Sequence, residues 1–158
     1  MKLIVMRHFK SSWDHPGDDH DRPLNQRGQL AAHTMGDWLR AHGHIPDQAL
    51  VSTASRTRES YQRLALAAPA QFYDDLYLAP ARAMFTRLRS SATQPCVLVL
   101  GHNPGIADFA QQLAAAAPQH DQFHRYPTGA TLVLDTDLHT KAGHVIDFCV
   151  PRDLSDPR

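Results

Sequence analysis

Two histidines and two arginines stand in this 158-residue chain where side chains can converge on a ligand. Arg7 and His8 follow the apolar run Leu3-Ile4-Val5-Met6. Arg56, with Arg58 two residues on, follows Ala49-Leu50-Val51-Ser52. His102 follows Cys96-Val97-Leu98-Val99-Leu100 across Gly101. Arginine grips phosphate oxygens through planar, bidentate hydrogen bonds. A neutral imidazole is a good nucleophile towards phosphorus. Phosphoryl transfer needs mostly positioning and charge stabilisation, which arginines supply without a metal ion. Taken singly, each residue also has an ordinary reading. Arg7-His8 reads as a polar strand end, Arg56 as a surface residue opening a helix, and His102 as a cap or core histidine before an Asn103-Pro104-Gly105 turn.

Convergence depends on the elements that carry these residues. Apolar runs predict strands over residues 2–6, 49–52 and 96–100, with a shorter one at Phe72-Tyr73. Helical periodicity predicts helices over residues 27–41, 56–67, 80–90 and 106–116, with Thr53 or Ser55 capping the second and Pro80 opening the third. Residues 130–135 and 145–150 read as two strands around a turn at residues 141–143. Residues 9–23 are polar and rich in Asp, Gly and Pro, and read as a loop or lid; the run from Asp14 to Asp21 reads first as a solvated loop. Strands alternating with helices, closed by a hairpin, predict an α/β sandwich with a largely parallel sheet and an antiparallel edge. Such sheets bind ligands beyond the carboxyl ends of their strands, which is where Arg7, His8, Arg56 and His102 fall. Gly101 and Gly105 allow the backbone to turn sharply or approach closely there.

The ordered set of motifs resembles the histidine phosphatase superfamily, and more narrowly the SixA-type phosphohistidine phosphatases. The set comprises Leu3-Ile4-Val5-Met6-Arg7-His8, Lys10-Ser11-Ser12-Trp13, Asp21-Arg22-Pro23-Leu24-Asn25-Gln26-Arg27-Gly28, Ser52-Thr53-Ala54-Ser55-Arg56-Thr57-Arg58-Glu59-Ser60, Gly101-His102-Asn103-Pro104-Gly105, Tyr126-Pro127-Thr128-Gly129-Ala130 and Pro151-Arg152-Asp153-Leu154. The resemblance implies a single domain over residues 1–158 with a phosphoglycerate mutase-like, three-layer α/β/α fold. It implies that His8 takes the phosphoryl group, that Arg7 and Arg56 bind phosphate, that His102 hydrogen-bonds the phosphoryl oxygens and that Ser11 lies beside the phosphate. No cofactor and no metal are implied. The substrate implied is phosphohistidine on a protein, a histidine phosphotransfer domain among the candidates. The alternatives are small phosphomonoesters, other phosphorylated side chains, or a phospho-ligand module without turnover.

Three departures bear on this. Phe9 stands where relatives carry Gly or Ala. Asp14 stands where mutases carry Asn, and its charge repels phosphate. No carboxylate matches the general acid of other superfamily members; Asp74 and Asp75 are the nearest in sequence and read as loop residues. An alkoxide leaving group needs a proton from such an acid, whereas a protonated phosphohistidine ring leaves neutral, so the missing acid favours N–P over O–P substrates.

Composition narrows the remaining classes. The chain carries 16 basic and 16 acidic residues, which argues against wrapping nucleic acid or an anionic membrane. No apolar run approaches the roughly 18–20 residues of a membrane span, and the N-terminal apolar stretch is too short for a signal peptide. Cys96 and Cys149 lie in apolar runs and read as buried free thiols, in keeping with a cytoplasmic location. Of the 11 histidines, those other than His8 and His102 read as surface residues, and no spacing among them makes a zinc pattern. The candidate pocket has cationic side chains and no carboxylate cluster able to hold a divalent ion, so phosphate release is expected to survive EDTA; activity lost to the chelator and restored by a divalent ion would overturn this.

Overall fold

The computed structural model describes residues 1–140 and 142–155. Its strands are β1 (Lys2–Arg7), β2 (Gln48–Ser52), β3 (Ala70–Tyr73), β4 (Cys96–Gly101), β5 (Thr131–Asp137) and β6 (Ala142–Cys149). Its helices are α1 (Gln26–Ala41), α2 (Ser55–Leu64), α3 (Ala81–Ser91), α4 (Gly105–Leu113) and the short α5 (Pro151–Leu154). The strands form one mixed sheet in the order β3-β2-β4-β1-β5-β6. The first four of these are parallel, and β5 and β6 complete the sheet as an antiparallel edge. The expected α/β architecture is the one observed.

Strand alternation builds the three layers. Along β1, Leu3 and Val5 enter a core with Met84, Phe85 and Leu88 of α3 and Ile106, Phe109 and Leu113 of α4. Ile4 and Met6 enter the opposite core with Ala32, Met35 and Leu39 of α1 and Tyr61 and Leu64 of α2. All four β1 residues are fully buried. A strand covered on both faces reads as an unbroken apolar run, which is why β1 and β4 carry so little polar alternation.

Several boundaries differ from the sequence expectation. Helix α2 starts at Ser55 and stops at Leu64, where Ala65 turns left-handed at φ 55°. Neither Thr53 nor Ser55 caps it: Ala54 is the N-cap residue, and the Thr53 hydroxyl donates to Asp74 Oδ1 at 2.7 Å instead. Helix α4 ends at Leu113, short of residue 116. In the closing hairpin, Lys141 lies outside the described residues. Ala142 and Gly143, expected in the turn, already pair with Asp137 and Thr136, so β6 starts three residues before Val145. Helix α1 is capped by Asn25, whose side chain accepts from the Gly28 N–H at 2.8 Å. No helix among the described residues is long and apolar enough to cross a membrane.

Two glycines fit the chain around its central strands. Phe9 is fully buried, and its ring lies against Gly129, whose φ is +78°. A Cβ at Gly129 would stand 2.7 Å from that ring, so the bulk that follows His8 is accommodated by the absence of a side chain opposite it. Gly105, at the start of α4, approaches the Ala79 carbonyl so closely that a Cβ would collide with that oxygen. Gly105→Ala is expected to destabilise the protein by about 1–3 kcal/mol, the usual cost of overpacking a rigid contact. Urea unfolding of the two proteins checks this.

Candidate active site

β2, β4 and β1 are adjacent and parallel, so their carboxyl ends open side by side. The His8 N–H donates to the Gly101 carbonyl at 3.1 Å, which carries the β1–β4 ladder one step past the strand. Behind it, the His8 carbonyl accepts from the Gly129 N–H at 2.9 Å, and the Phe9 N–H donates to Ser60 Oγ at 3.0 Å. Backbone bonds on both sides therefore fix the position of the imidazole. Arg7, His8, Ser11, Arg56 and His102, the five candidates from the sequence, all line one cavity of about 660 Å³.

The His8 ring is 5% exposed, and its Nδ1 lies 2.7 Å from the Phe9 carbonyl oxygen. A carbonyl only accepts, so Nδ1 carries the hydrogen and Nε2 keeps its lone pair. Burial is the main force that lowers the His8 pKa to about 3, and the cations Arg7, Arg56 and Arg22 push the same way. At neutral pH the ring is uncharged with Nε2 available. His102 is 1% exposed and its ring centroid lies 5.3 Å from that of His8. Its Nε2 meets Ser52 Oγ at 2.8 Å while its Nδ1 has no partner. Burial first, then His8 and Arg56, lower its pKa to about 2.

The arginines are held from behind. Arg7 Nη1 donates to the Tyr126 carbonyl at 3.2 Å. Tyr126 is itself fixed at φ 51°, with its hydroxyl donating to the Val5 carbonyl at 2.6 Å. Arg56, 2% exposed, donates through Nη1 to the Asp19 carbonyl at 2.7 Å and through Nη2 to Asp19 Oδ2 at 3.0 Å. The Nε of Arg7 and the Nε of Arg56 are both buried without a partner. Ser11 is occupied: its hydroxyl accepts a hydrogen bond from Arg22 Nη1.

Several residues of the cavity carry no role in the sequence reading. Arg22, 8% exposed, lines the wall beside Ser11 and stacks its guanidinium over Trp13 at 3.8 Å. It lies in the Asp21-Arg22-Pro23-Leu24 motif, the signal that could have found it. Asp19 belongs to the acidic run read as a solvated loop; Asp14, Asp18, Asp19 and Asp21 are all exposed, and Asp19 also bonds Arg22 and Arg56. Ser52 ends β2 beneath His102, a contact between residues 50 apart that no local pattern reveals. Arg58 turns away, donating to the Thr53 carbonyl at 2.8 Å and lying over the Phe72 ring. Asp74 accepts from Thr53, and Asp75 pairs with Arg87. Neither of these two carboxylates lines the cavity. His44, expected at the surface, is instead 5% exposed and meets Asp147 Oδ2 at 3.1 Å, because it follows α1 into the sheet edge.

Comparison with known proteins places these motifs in company. The sequence pattern of the histidine phosphatase superfamily (branch 1) matches residues 3–77. An uncharacterized protein of Mycobacterium tuberculosis, Rv1276c, is 34% identical over 158 residues, covering 93% of this chain and all of its own. The structure of a protein from Nakamurella multipartitia described as a putative phosphohistidine phosphatase SixA superposes with a TM-score of 0.85 at 29% identity, over 95% of each chain. A protein from Agrobacterium tumefaciens described in the same words gives 0.80 at 27% identity, over 95% of this chain and 98% of that one.

The two lowered histidine pKa values make stability pH-dependent. Each ring stays neutral in the folded protein while an unfolded histidine takes a proton below about pH 6.5. The unfolded state then binds more protons, so stability falls as pH falls from about 6.5 towards 3, by about 1.4 kcal/mol per pH unit for each histidine. Urea unfolding between about pH 7.5 and 4.5 should show this slope reduced in His8→Gln and reduced again in His8→Gln/His102→Gln. An unchanged slope would mean these rings are not held neutral.

Proposed function

The chain belongs to the histidine phosphatase superfamily, in its SixA-like branch, and from that premise we propose that it removes phosphate from phosphohistidine on a protein, through a phosphohistidine intermediate at His8. A single domain carries the activity, without a metal ion. The observation that carries the reading is the set of unpartnered nitrogens on residues that line the cavity with His8: Arg7 Nε, Arg56 Nε and His102 Nδ1, all buried. A buried polar group left unsatisfied costs about 1–3 kcal/mol. Three such nitrogens on the lining of one cavity suit an anion with several acceptor oxygens, and a phosphoryl group is such an anion.

In this reading Nε2 of His8 attacks phosphorus while the N–P bond of the substrate breaks. The Arg7 and Arg56 donors hold the equatorial oxygens as charge spreads over them. Ser52 Oγ already accepts from the Ala54 N–H at 3.3 Å. Its own proton is then best used on His102 Nε2, which leaves the hydrogen on Nδ1 to donate to a phosphoryl oxygen. The substrate imidazole, protonated on its other nitrogen, departs as a neutral ring. Water then attacks phosphorus, the His8 Nε2–P bond breaks, and inorganic phosphate leaves.

The nature of the carboxylates supports an N–P substrate. Asp19 is the one acid among the described residues lining the cavity, and hydrogen bonds from Tyr77, Arg22 and Arg56 hold its carboxyl well below the usual carboxylate range. A group so firmly ionised is a poor proton donor for an alkoxide, and a neutral imidazole leaving group does not require one.

The test is loss of label from a phosphohistidine-bearing phosphocarrier. Wild-type protein should release phosphate and His8→Ala should not. Arg7→Lys and Arg56→Lys should each lose about 2–4 kcal/mol of transition-state stabilisation, because lysine keeps the charge and loses the fork. Ordinary alkyl phosphates should turn over poorly. Full activity in His8→Ala would remove the mechanism, and faster turnover of alkyl phosphates than of phosphohistidine would move the substrate to a phosphomonoester.

A further inference from the structure

Asp19 sits half-exposed on the cavity wall, yet it is the most heavily bonded side chain there. Its Oδ1 accepts from Arg22 Nε at 3.2 Å and from Arg22 Nη2 at 2.9 Å. Its Oδ2 accepts from Arg56 Nη2 at 3.0 Å and from the Tyr77 hydroxyl at 2.5 Å. Its backbone carbonyl takes Arg56 Nη1 at 2.7 Å. The third nitrogen of Arg22 is engaged by Ser11. These bonds divide the two guanidiniums differently. Every nitrogen of Arg22 makes at least one bond to the protein, whereas Arg56 is held through one N–H at each Nη and has no partner at Nε.

We propose that Asp19 is a positioning residue for the phosphoryl transfer proposed above: it clamps Arg56 at two points, which fixes the orientation in which the remaining N–H donors of that guanidinium are held for the phosphoryl group, and it holds Arg22 as its counter-ion. A guanidinium on a flexible stem otherwise samples many orientations, and a bidentate grip removes that freedom before substrate arrives. The carboxylate also offsets positive charge where Arg7, Arg22 and Arg56 crowd His8. Tyr77 secures the far side of the clamp. Its hydroxyl bonds Asp19 and its ring stands edge-on to His102 at 5.4 Å, so one residue braces both walls of the cavity.

Two other roles for Asp19 make opposite forecasts. A plug that competes with phosphate for the arginines would raise turnover when removed. A general acid would leave a steeper dependence on leaving-group pKa when removed. A clamp predicts neither: its loss lowers kcat, leaves KM little changed and keeps the leaving-group slope.

The experiment compares wild type, Asp19→Asn and Tyr77→Phe in two arms. In the first, kcat and KM are measured on a series of aryl phosphates. Asp19→Asn should lower kcat about 10- to 100-fold, in line with a misplaced catalytic group, while KM stays within about threefold. Tyr77→Phe should lower kcat less, in the same direction. The second arm needs no turnover: the guanidinium Nε–H signals of Arg56 and Arg7 are followed by nitrogen-15 NMR with and without tungstate. In Asp19→Asn the Arg56 signal should lose its protection from solvent exchange while that of Arg7 keeps it. Unchanged or increased kcat, a steepened leaving-group slope, or an Arg56 signal identical to wild type would each overturn the clamp. Absence of turnover in the wild type would remove the phosphatase reading, and the Arg56 signal would then decide the clamp by itself.

Discussion

Three guanidiniums crowd one buried imidazole and hold it in its neutral form, and much of the structure is arranged around that constraint. Burial and three nearby cations keep His8 neutral, the form in which Nε2 has a lone pair. The same burial leaves Arg7 Nε, Arg56 Nε and His102 Nδ1 without partners. Such a site persists only because the surrounding elements do not let it relax. Native proteins tolerate unsatisfied buried groups in small numbers, and those that persist call for a functional explanation.

The scaffold that holds the site is mostly backbone. The His8 N–H and carbonyl are tied to Gly101 and Gly129, Arg7 to the Tyr126 carbonyl, and Arg56 to Asp19. Tyr126 links this frame to the sheet interior through its bond to Val5. The two cores on either side of β1 immobilise the strand that delivers the nucleophile candidate, so packing energy is converted into fixed geometry at the strand's end. A site carried on strand ends is more precise than one carried on loops alone.

The loop that follows β1 combines both kinds of behaviour. Asp14, Asp18 and Asp21 are exposed, as a polar surface segment should be. Trp13 is also 80% exposed, lying under the Arg22 guanidinium at the cavity mouth. In the same loop the half-exposed Asp19 pairs with the buried Arg22 at 2.9 Å on the cavity wall. A surface pair of this kind adds little stability. Its effect lies in orientation, since one partner of the pair also holds Arg56.

The sequence by itself determined the alternation of strands and helices, the parallel sheet with an antiparallel edge, and the strand-end positions of Arg7, His8, Arg56 and His102. Those features are legible because apolar runs, helical periodicity and the preference for ligands beyond strand ends are local or topological rules. It also showed that no carboxylate matched the usual general acid. Tertiary structure alone decided the rest. Ser52 beneath His102, Tyr126 behind Arg7 and Asp19 across Arg56 are contacts over 50, 119 and 37 residues. Ser52 looks like any strand-end serine, and Asp19 like any member of an acidic loop, until the fold brings a partner to them. Helix boundaries escaped for the same reason: Thr53 prefers Asp74 to the helix end only because β3 and the turn after it place that carboxylate within 2.7 Å. A residue's type limits what it can bond, but which bond it makes depends on neighbours that are distant in the chain.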